Sequence, residues 1–240
     1  MAHRFFYEGS FDDDLLPLEG SEAHHLLHVL RLKEGDQVLL FNGTGVEVEG
    51  KIEKTGRKSV EIRVISRRES GDEKQVPLIL ATAVPKGDRF RWLVEKAAEL
   101  GVTKLVPLIT ERSSVDPGEN KLKKLQQTIV SAAKQSGQIR LMELAPVQQL
   151  GDFFKEIGES GVQLLIADPQ GVEWSQLNQS NPNSSAAGTV ILVGPEGGFS
   201  PEEVQAAQDA GAEAVKINAG ILRIETAALL MAGLMRLPTS

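Results

Sequence analysis

Thr189-Val190-Ile191-Leu192-Val193-Gly194-Pro195-Glu196-Gly197-Gly198-Phe199-Ser200-Pro201-Glu202-Glu203 is the stretch that decides the fold. Its first five residues form an apolar, β-branched run with no polar face, the pattern of a strand buried on both sides in a parallel sheet. Three glycines around Pro195-Glu196 then let the backbone approach something closely and expose its N–H and C=O groups. Ser200 is a good N-cap, Pro201 suits the first helical position and Glu203 completes a capping box. The helix so begun runs to Ala210, and Gly211 ends it. The loop lacks the Lys-Ser/Thr of a P-loop and the spacing of the dinucleotide fingerprint. Two acids in the first helical turn also oppose a phosphate, so a cationic ligand or an adenine ring is the easier guest. Read without a ligand, the same residues make a tight βα turn.

Outward from this unit the same texture repeats. Residues 76–84 read as an apolar strand. Residues 88–100 read as a helix, with Phe90, Leu93, Val94 and Ala97 at helical spacing and Gly101 as its stop. Lys104–Ile109 is a strand, 120–136 a helix ended by Gly137, and Leu150–Ile157 a short helix. Residues 162–167 and 214–217 are further strands. Strands alternating with helices imply an α/β fold with a parallel sheet covered on both faces. Ligands bind such sheets beyond the carboxyl ends of the strands.

The first 70 residues have another texture. Residues 24–32 read as a helix with Leu26, Leu27, Leu30 and Val29 as its inward candidates. Gln37–Phe41 is a strand, and Asn42-Gly43-Thr44-Gly45 a turn with two glycines for positive φ. Residues 46–53 alternate Val46, Val48, Gly50 and Ile52; residues 59–65 alternate Val60, Ile62 and Val64. This describes a small β-barrel with a helix at one side. The polar run 66–75 reads as the linker, giving domains at 1–70 and 76–240.

Composition bounds the function. Apolar residues are 41% and charged residues 25% of the 240, the balance of a globular chain. No cysteine is present, which excludes disulfides and thiolate metal sites. No apolar run approaches the roughly 18–20 residues of a membrane span. The start, Met1-Ala2-His3-Arg4-Phe5-Phe6 followed by Asp12-Asp13-Asp14, does not fit a signal peptide, so a cytoplasmic protein is expected. A net charge of −7 weighs against nucleic acid. Against it stands the local run Lys51, Lys54, Arg57, Lys58, Arg63, Arg67 and Arg68, which is either one basic face or a solvated strand face. His3, His24, His25 and His28 lie near the start, but nothing wider supports a metal site, and none is expected.

A second chemical segment is Val215-Lys216-Ile217-Asn218-Ala219-Gly220-Ile221-Leu222-Arg223-Ile224-Glu225-Thr226-Ala227. A strand ends near Ile217, and a helix follows the loop. On pattern alone, Arg223 and Glu225 form an ion pair that fixes the loop, with Glu225 well sited at a helix N-terminus.

Gly194-Pro195-Glu196-Gly197-Gly198 followed by Ile221-Leu222-Arg223-Ile224-Glu225-Thr226-Ala227 resembles the RsmE family, 16S ribosomal RNA (uracil-N3)-methyltransferases of the SPOUT superfamily. Further matches run along nearly the whole chain: His25 with Val29-Leu30-Arg31, Gly35-Asp36, Glu95-Lys96-Ala97-Ala98-Glu99-Leu100-Gly101-Val102, Glu111-Arg112-Ser113 and Ala133-Lys134-Gln135-Ser136. The resemblance implies a SPOUT-type parallel sheet with a C-terminal trefoil knot and a PUA-like, RNA-binding N-terminal β-barrel. It also implies a homodimer with the knot at the interface, which gives the apolar stretch 227–234 a use beyond core. S-adenosylmethionine (SAM) is the implied cofactor. It would be held in the knot by backbone atoms of three loops: Ala167 to Gln170; Val193, Gly194, Pro195, Glu196, Gly197 and Gly198; and Ile217 to Leu222, of which Ile217, Asn218, Ile221 and Leu222 are the named contacts.

The implied partner is 16S rRNA of the small ribosomal subunit, methylated at N3 of one uridine. Uracil N3 is a poor nucleophile until it loses its proton, so the site must favour the anion, with donors aimed at its carbonyl oxygens. Arg223 suits that role, because arginine stays protonated and presents a planar fork. Glu225, Glu196 or water then takes the proton. Arg4, Arg31, Arg112 and the basic 51–68 segment are the candidate RNA contacts, with Arg112 as a second positioning residue. The chain departs from the family where Leu-Gly-x-Arg is usual. Asn218 stands at the glycine, where it would take the left-handed conformation, and Gly220 and Gln138 stand where arginines are common. The competing readings are a SPOUT enzyme for another RNA position and a non-catalytic rRNA-binding factor.

Overall fold

The computed structural model describes residues 3–69, 76–158, 161–180 and 187–237. The chain divides into two units, Met1–Lys74 with Ala133–Leu141, and Gln75–Ala132 with Met142–Ser240.

The first unit contains β1 (His3–Phe6), β2 (Leu15–Leu18), α1 (Gly20–His24), β3 (Gln37–Phe41), β4 (Val46–Thr55) and β5 (Val60–Glu69). Its sheet runs β1-β3-β4-β5-β2 and curls into a half-barrel; β1 is parallel to β3, and the other pairs are antiparallel. The expected alternation is what fills it: Val38, Leu40, Val48, Ile52, Val60 and Ile62 are buried against Phe5, Leu16, Leu18 and Leu26. Gly43 and Gly45 take positive φ in the β3–β4 turn, as that turn requires.

Three expectations are corrected here. Residues 66–69 are not linker but the end of β5, because Arg68 and Arg67 lie opposite Glu47 and Val48 of β4 in an extended hairpin; residues 70–75 lie outside the described residues. The single helix expected over 24–32 is a short α-helix that passes into a π-helical turn, His25–Val29. That widening swings Val29 outward, where it is 62% exposed.

Residues 133–141 belong to this unit through specific bonds. Arg4 Nη1 and Nη2 donate to the carbonyls of Ala133 and Gln138, and its Nε pairs with Glu47 at 2.9 Å. Lys134 pairs with Glu22, and Arg140 donates to the Thr44 carbonyl.

The second unit contains β6 (Leu78–Ala83), α2 (Arg89–Glu99), β7 (Lys104–Ile109), α3 (Gly118–Ser136), β8 (Glu143–Leu144), β9 (Gln148–Gln149) and α4 (Leu150–Ile157). It continues with β10 (Gln163–Glu173), α5 (Trp174–Ser180), β11 (Thr189–Val193), α6 (Pro201–Asp209), β12 (Glu213–Lys216) and α7 (Ile224–Met235). The last turn of α3, residues 133–136, belongs to the first unit. The sheet is parallel, in the order β12-β10-β11-β6-β7-β8, with β9 also on β7. All five residues of β11 are buried, as a central strand covered on both faces demands.

α7 packs on α2 and on β6 and β11. Its apolar stretch is therefore largely core: Ala227, Ala228, Met231 and Ala232 are buried. Just beyond it, Arg236 donates to the carbonyls of Gly101 and Val76, and burial pushes its pKa below the ordinary arginine value.

Candidate functional site

The carboxyl ends of β10, β11 and β12 open into one cavity of 590 Å³, within the roughly 300–1,000 Å³ of small-molecule sites. Three local devices build it.

In β10, the pairing with β12 slips between Ala167 and Val172, so residues 168–171 loop out of the strand. Asp168 Oδ1 accepts from the Gln170 N–H at 2.7 Å and closes that loop. After β11, Gly194 packs so tightly that a Cβ there would meet the Phe199 ring at 3.0 Å, and Gly198 takes φ +70. α6 then starts on the expected capping box: Ser200 Oγ accepts from Glu203 N–H, and Glu203 Oε2 accepts from Ser200 N–H. The other oxygen of Glu203 accepts from the Glu111 N–H at 2.8 Å. The acid that seemed to oppose an anion is thus spent on the backbone.

Apart from Ala219, which does not reach it, every residue of the three cofactor loops lines this cavity: Ala167, Asp168, Pro169 and Gln170; Val193, Gly194, Pro195, Glu196, Gly197 and Gly198; and Ile217, Asn218, Gly220, Ile221 and Leu222. So does Arg112, whose Nη1 donates to the carbonyls of Gly197 (2.8 Å) and Phe199 (3.4 Å), bracing the glycine loop. The outer face of α6 contributes Val204, Gln205 and Gln208, which sequence reasoning did not assign; their i, i+4 spacing on a capped helix was the available signal.

Asn218 does not take the left-handed conformation expected of it. Among the described non-glycine residues only Arg31 has positive φ, at 56°. Instead the Asn218 amide donates to the Gly220 carbonyl at 3.4 Å, so a side chain closes the turn.

Arg223 and Glu225 do not pair with each other. Arg223 is the extended N-cap residue of α7; it is exposed, and among the described residues no side-chain bond holds its guanidinium. It stands between Leu222 and Ile224, which both line the cavity. Glu225 is 6% exposed and does not line it. One of its oxygens pairs with Arg89 at 3.5 Å, and the other has no partner among the described residues. Arg89, the first residue of α2, also reaches Glu196 at 3.5 Å, a link that sequence reasoning missed because its partners lie far along the chain.

In the first unit, Arg4 is engaged as described, while Arg31 is exposed with its backbone strained. The basic run is largely self-paired at its carboxyl end: Arg63 with Glu53, Arg67 with Asp14, and Arg68 with Glu47. Lys51, Lys54, Arg57 and Lys58 are exposed. His25 packs edge-on against Phe5, and the His24 and His28 rings lie 4.7 Å apart.

A glycine-cradled cavity at the strand ends of a parallel sheet marks a small-molecule-binding α/β domain, with an arginine at its edge that has no side-chain partner among the described residues. Comparison agrees: a family model described as RNA methyltransferase domain matches residues 72–236, and one described as RNA methyltransferase PUA domain matches residues 18–65. The chain belongs to this RNA methyltransferase family, alongside proteins named ribosomal RNA small subunit methyltransferase E. The one from Synechocystis is 31% identical over 88% of this chain and 69% of its own length. The Bacillus subtilis one is 28% identical over 88% of this chain and 86% of its own. Among solved structures, the Neisseria gonorrhoeae methyltransferase E bound to S-adenosyl methionine superposes with a TM-score of 0.86 at 25% identity, covering 98% of this chain and 97% of that one. A Legionella pneumophila chain in complex with bound SAM gives 0.83 at 30% identity, with 98% and 97% covered.

Proposed function

We propose that this chain uses SAM to methylate N3 of a specific uridine in 16S rRNA of the small ribosomal subunit. The observation that carries the reading is the cavity itself. Residues chosen for one cofactor, from three separate loops, line a single space at the carboxyl ends of β10, β11 and β12. The donor set fits that group. Glycine backbone gives close approach to an adenine and a sugar, and Ala167, Val193, Pro195 and Leu222 supply apolar wall. Glu196 and Asp168 bring negative charge for a sulfonium. When bound, SAM supplies an activated methyl group and a neutral thioether leaving group.

The remaining work falls to the chain. Arg223, free of side-chain partners among the described residues, hydrogen-bonds the uracil carbonyl oxygens and stabilises the anion formed as N3 loses its proton. Glu196 on the cavity wall, or water at its mouth, takes that proton. The burial of Glu225 against Arg89 supports a positioning role for it rather than proton transfer. Arg112 holds the glycine loop open to the substrate side. The 1–70 region acts as a PUA-like RNA-binding domain, with Arg31 and the exposed lysines at 51, 54 and 58 touching phosphate, which orients RNA without choosing the base. The 76–240 region is the methyltransferase domain. Arg4 is better read as a brace than as an RNA contact.

Two further features belong to this reading. The chain leaves the edge strand β12 and its next helix lies over β6 and β11, a path consistent with the trefoil knot. Ile221 on the cavity wall is 87% exposed, and Trp92 of α2 and Leu230 of α7 are exposed at 47% and 40%; such apolar surface on the elements that carry the site supports a homodimer interface. No helix among the described residues is long and apolar enough to cross a membrane, and rRNA as substrate makes the cytoplasm its place of action.

Titration calorimetry of the full chain tests the cofactor step. SAM and its demethylated product should bind with Kd in the micromolar range, about −8 kcal/mol; folded protein that binds neither would end the enzyme reading.

A further inference from the structure

The walls of the cavity must stand at a fixed spacing to grip one ligand. Two of them are loops that follow different strands, β11 and β12. A carboxylate goes with each: Glu196 within the glycine loop, and Glu225 in the first turn of α7, just after the second loop. Arg89 reaches both, with Nη2 3.5 Å from Glu196 Oε1 and Nη1 3.5 Å from Glu225 Oε1. Its Nε donates to the Lys86 carbonyl at 3.3 Å, which anchors the fork to the loop before α2. Arg89 itself does not line the cavity.

We propose that Arg89 is a positioning residue of the cofactor site, tying the glycine loop to the β12–α7 loop through Glu196 and Glu225. The inference rests on the cofactor reading given above. Glu225 carries it furthest. Its Oε2 is buried with no hydrogen-bond partner among the described residues, and Arg89 is the cation paired with its other oxygen. A carboxylate held so far from water persists only beside a compensating charge. Fixing Glu225 fixes the start of α7, and with it Leu222 and Ile224 on the cavity wall. The second arm of the same guanidinium holds Glu196 on the opposite loop. Both separations exceed the 2.7–2.9 Å of a formed charge-assisted hydrogen bond, so the bridge restrains the loops without locking them. Arginine suits the task because its two terminal nitrogens address different partners at once, which a lysine ammonium, a single point of charge, does less well.

The test uses the full chain and S-adenosylhomocysteine in calorimetry, with thermal melts and steady-state kinetics alongside. Arg89→Ala should raise the Kd roughly tenfold. It should raise the KM for SAM in parallel and change kcat at saturating SAM far less. Arg89→Lys should recover part of the affinity. It also serves if the alanine variant does not fold. Glu196→Gln added to an Arg89 variant should weaken binding by less than it does alone, since the link is already cut. A lowered Tm with unchanged Kd in both Arg89 variants would reduce Arg89 to a structural brace and overturn the proposal. Wild-type protein that binds no S-adenosylhomocysteine would instead overturn the cofactor reading, and this inference with it.

Discussion

Arg223→Ala should leave SAM affinity within about twofold of the parent and cut kcat by roughly 10²–10³, the usual cost of deleting one preorganised donor to a developing oxyanion. The reasons are local. Arg223 is the N-cap of α7, exposed and without a side-chain partner among the described residues, so its removal strands no buried charge. Its side chain does not line the cofactor cavity, although both neighbours do. Loss of the guanidinium should therefore act on turnover alone. Arg223→Lys restores a positive charge without the planar fork and should fall between the two. Steady-state kinetics against SAM and RNA separate the effects; an alanine variant with full kcat would remove Arg223 from the chemistry.

The second large effect concerns the fold beneath the site. Gly171 closes the loop that β10 extrudes toward the cavity. A Cβ there would lie 2.4 Å from the carbonyl carbon and oxygen of Ala214 and 2.5 Å from the Val215 nitrogen. These are backbone atoms of β12, so nothing can rotate away. Gly171→Ala should push β10 from β12 at a cost of about 1–3 kcal/mol. That is a fall in Tm of roughly 2–12 °C for a chain of this size. Weaker cofactor binding should accompany it, because residues 167–170 form one wall. Gly151→Ala in α4 meets open space and is the control, with Tm unchanged or raised. Equal melts for the two variants would show that β10 tolerates the displacement.

Much of this architecture was legible in the sequence because it was written in short-range patterns. β3, β7, α4 and β11 fall on the expected residues, since each is an apolar run or amphipathic turn with its own stop signals. β1 and β2 went unread because each is four residues long and offers few buried positions, with Pro17 inside β2. The end of β5 looked like linker because Ser66-Arg67-Arg68-Glu69 is uniformly polar; only its pairing with Glu47 and Glu49 across the hairpin makes a strand of it. The extension of β10 past Ala167 was hidden by Pro169 and Gly171, residues that usually end strands.

The site shows the same division. The glycine loop and its capped helix were readable, being contiguous. Arg89 was not, because it meets Glu225 only through the packing of α7 on α2, and Glu196 only through the glycine loop that follows β11. Pattern alone paired Glu225 with Arg223, its nearest cation in sequence; burial pairs it with Arg89 instead.

The central claim is methyl transfer to uracil N3, and reverse transcription reads it directly, because a methyl at N3 blocks base pairing. Small subunits from a strain lacking this chain would be incubated with the purified protein and SAM, and their 16S rRNA mapped for stops. One new stop at a single uridine, absent without SAM and absent with Arg223→Ala, is the result expected here. An unchanged stop pattern from protein that binds SAM would contradict it.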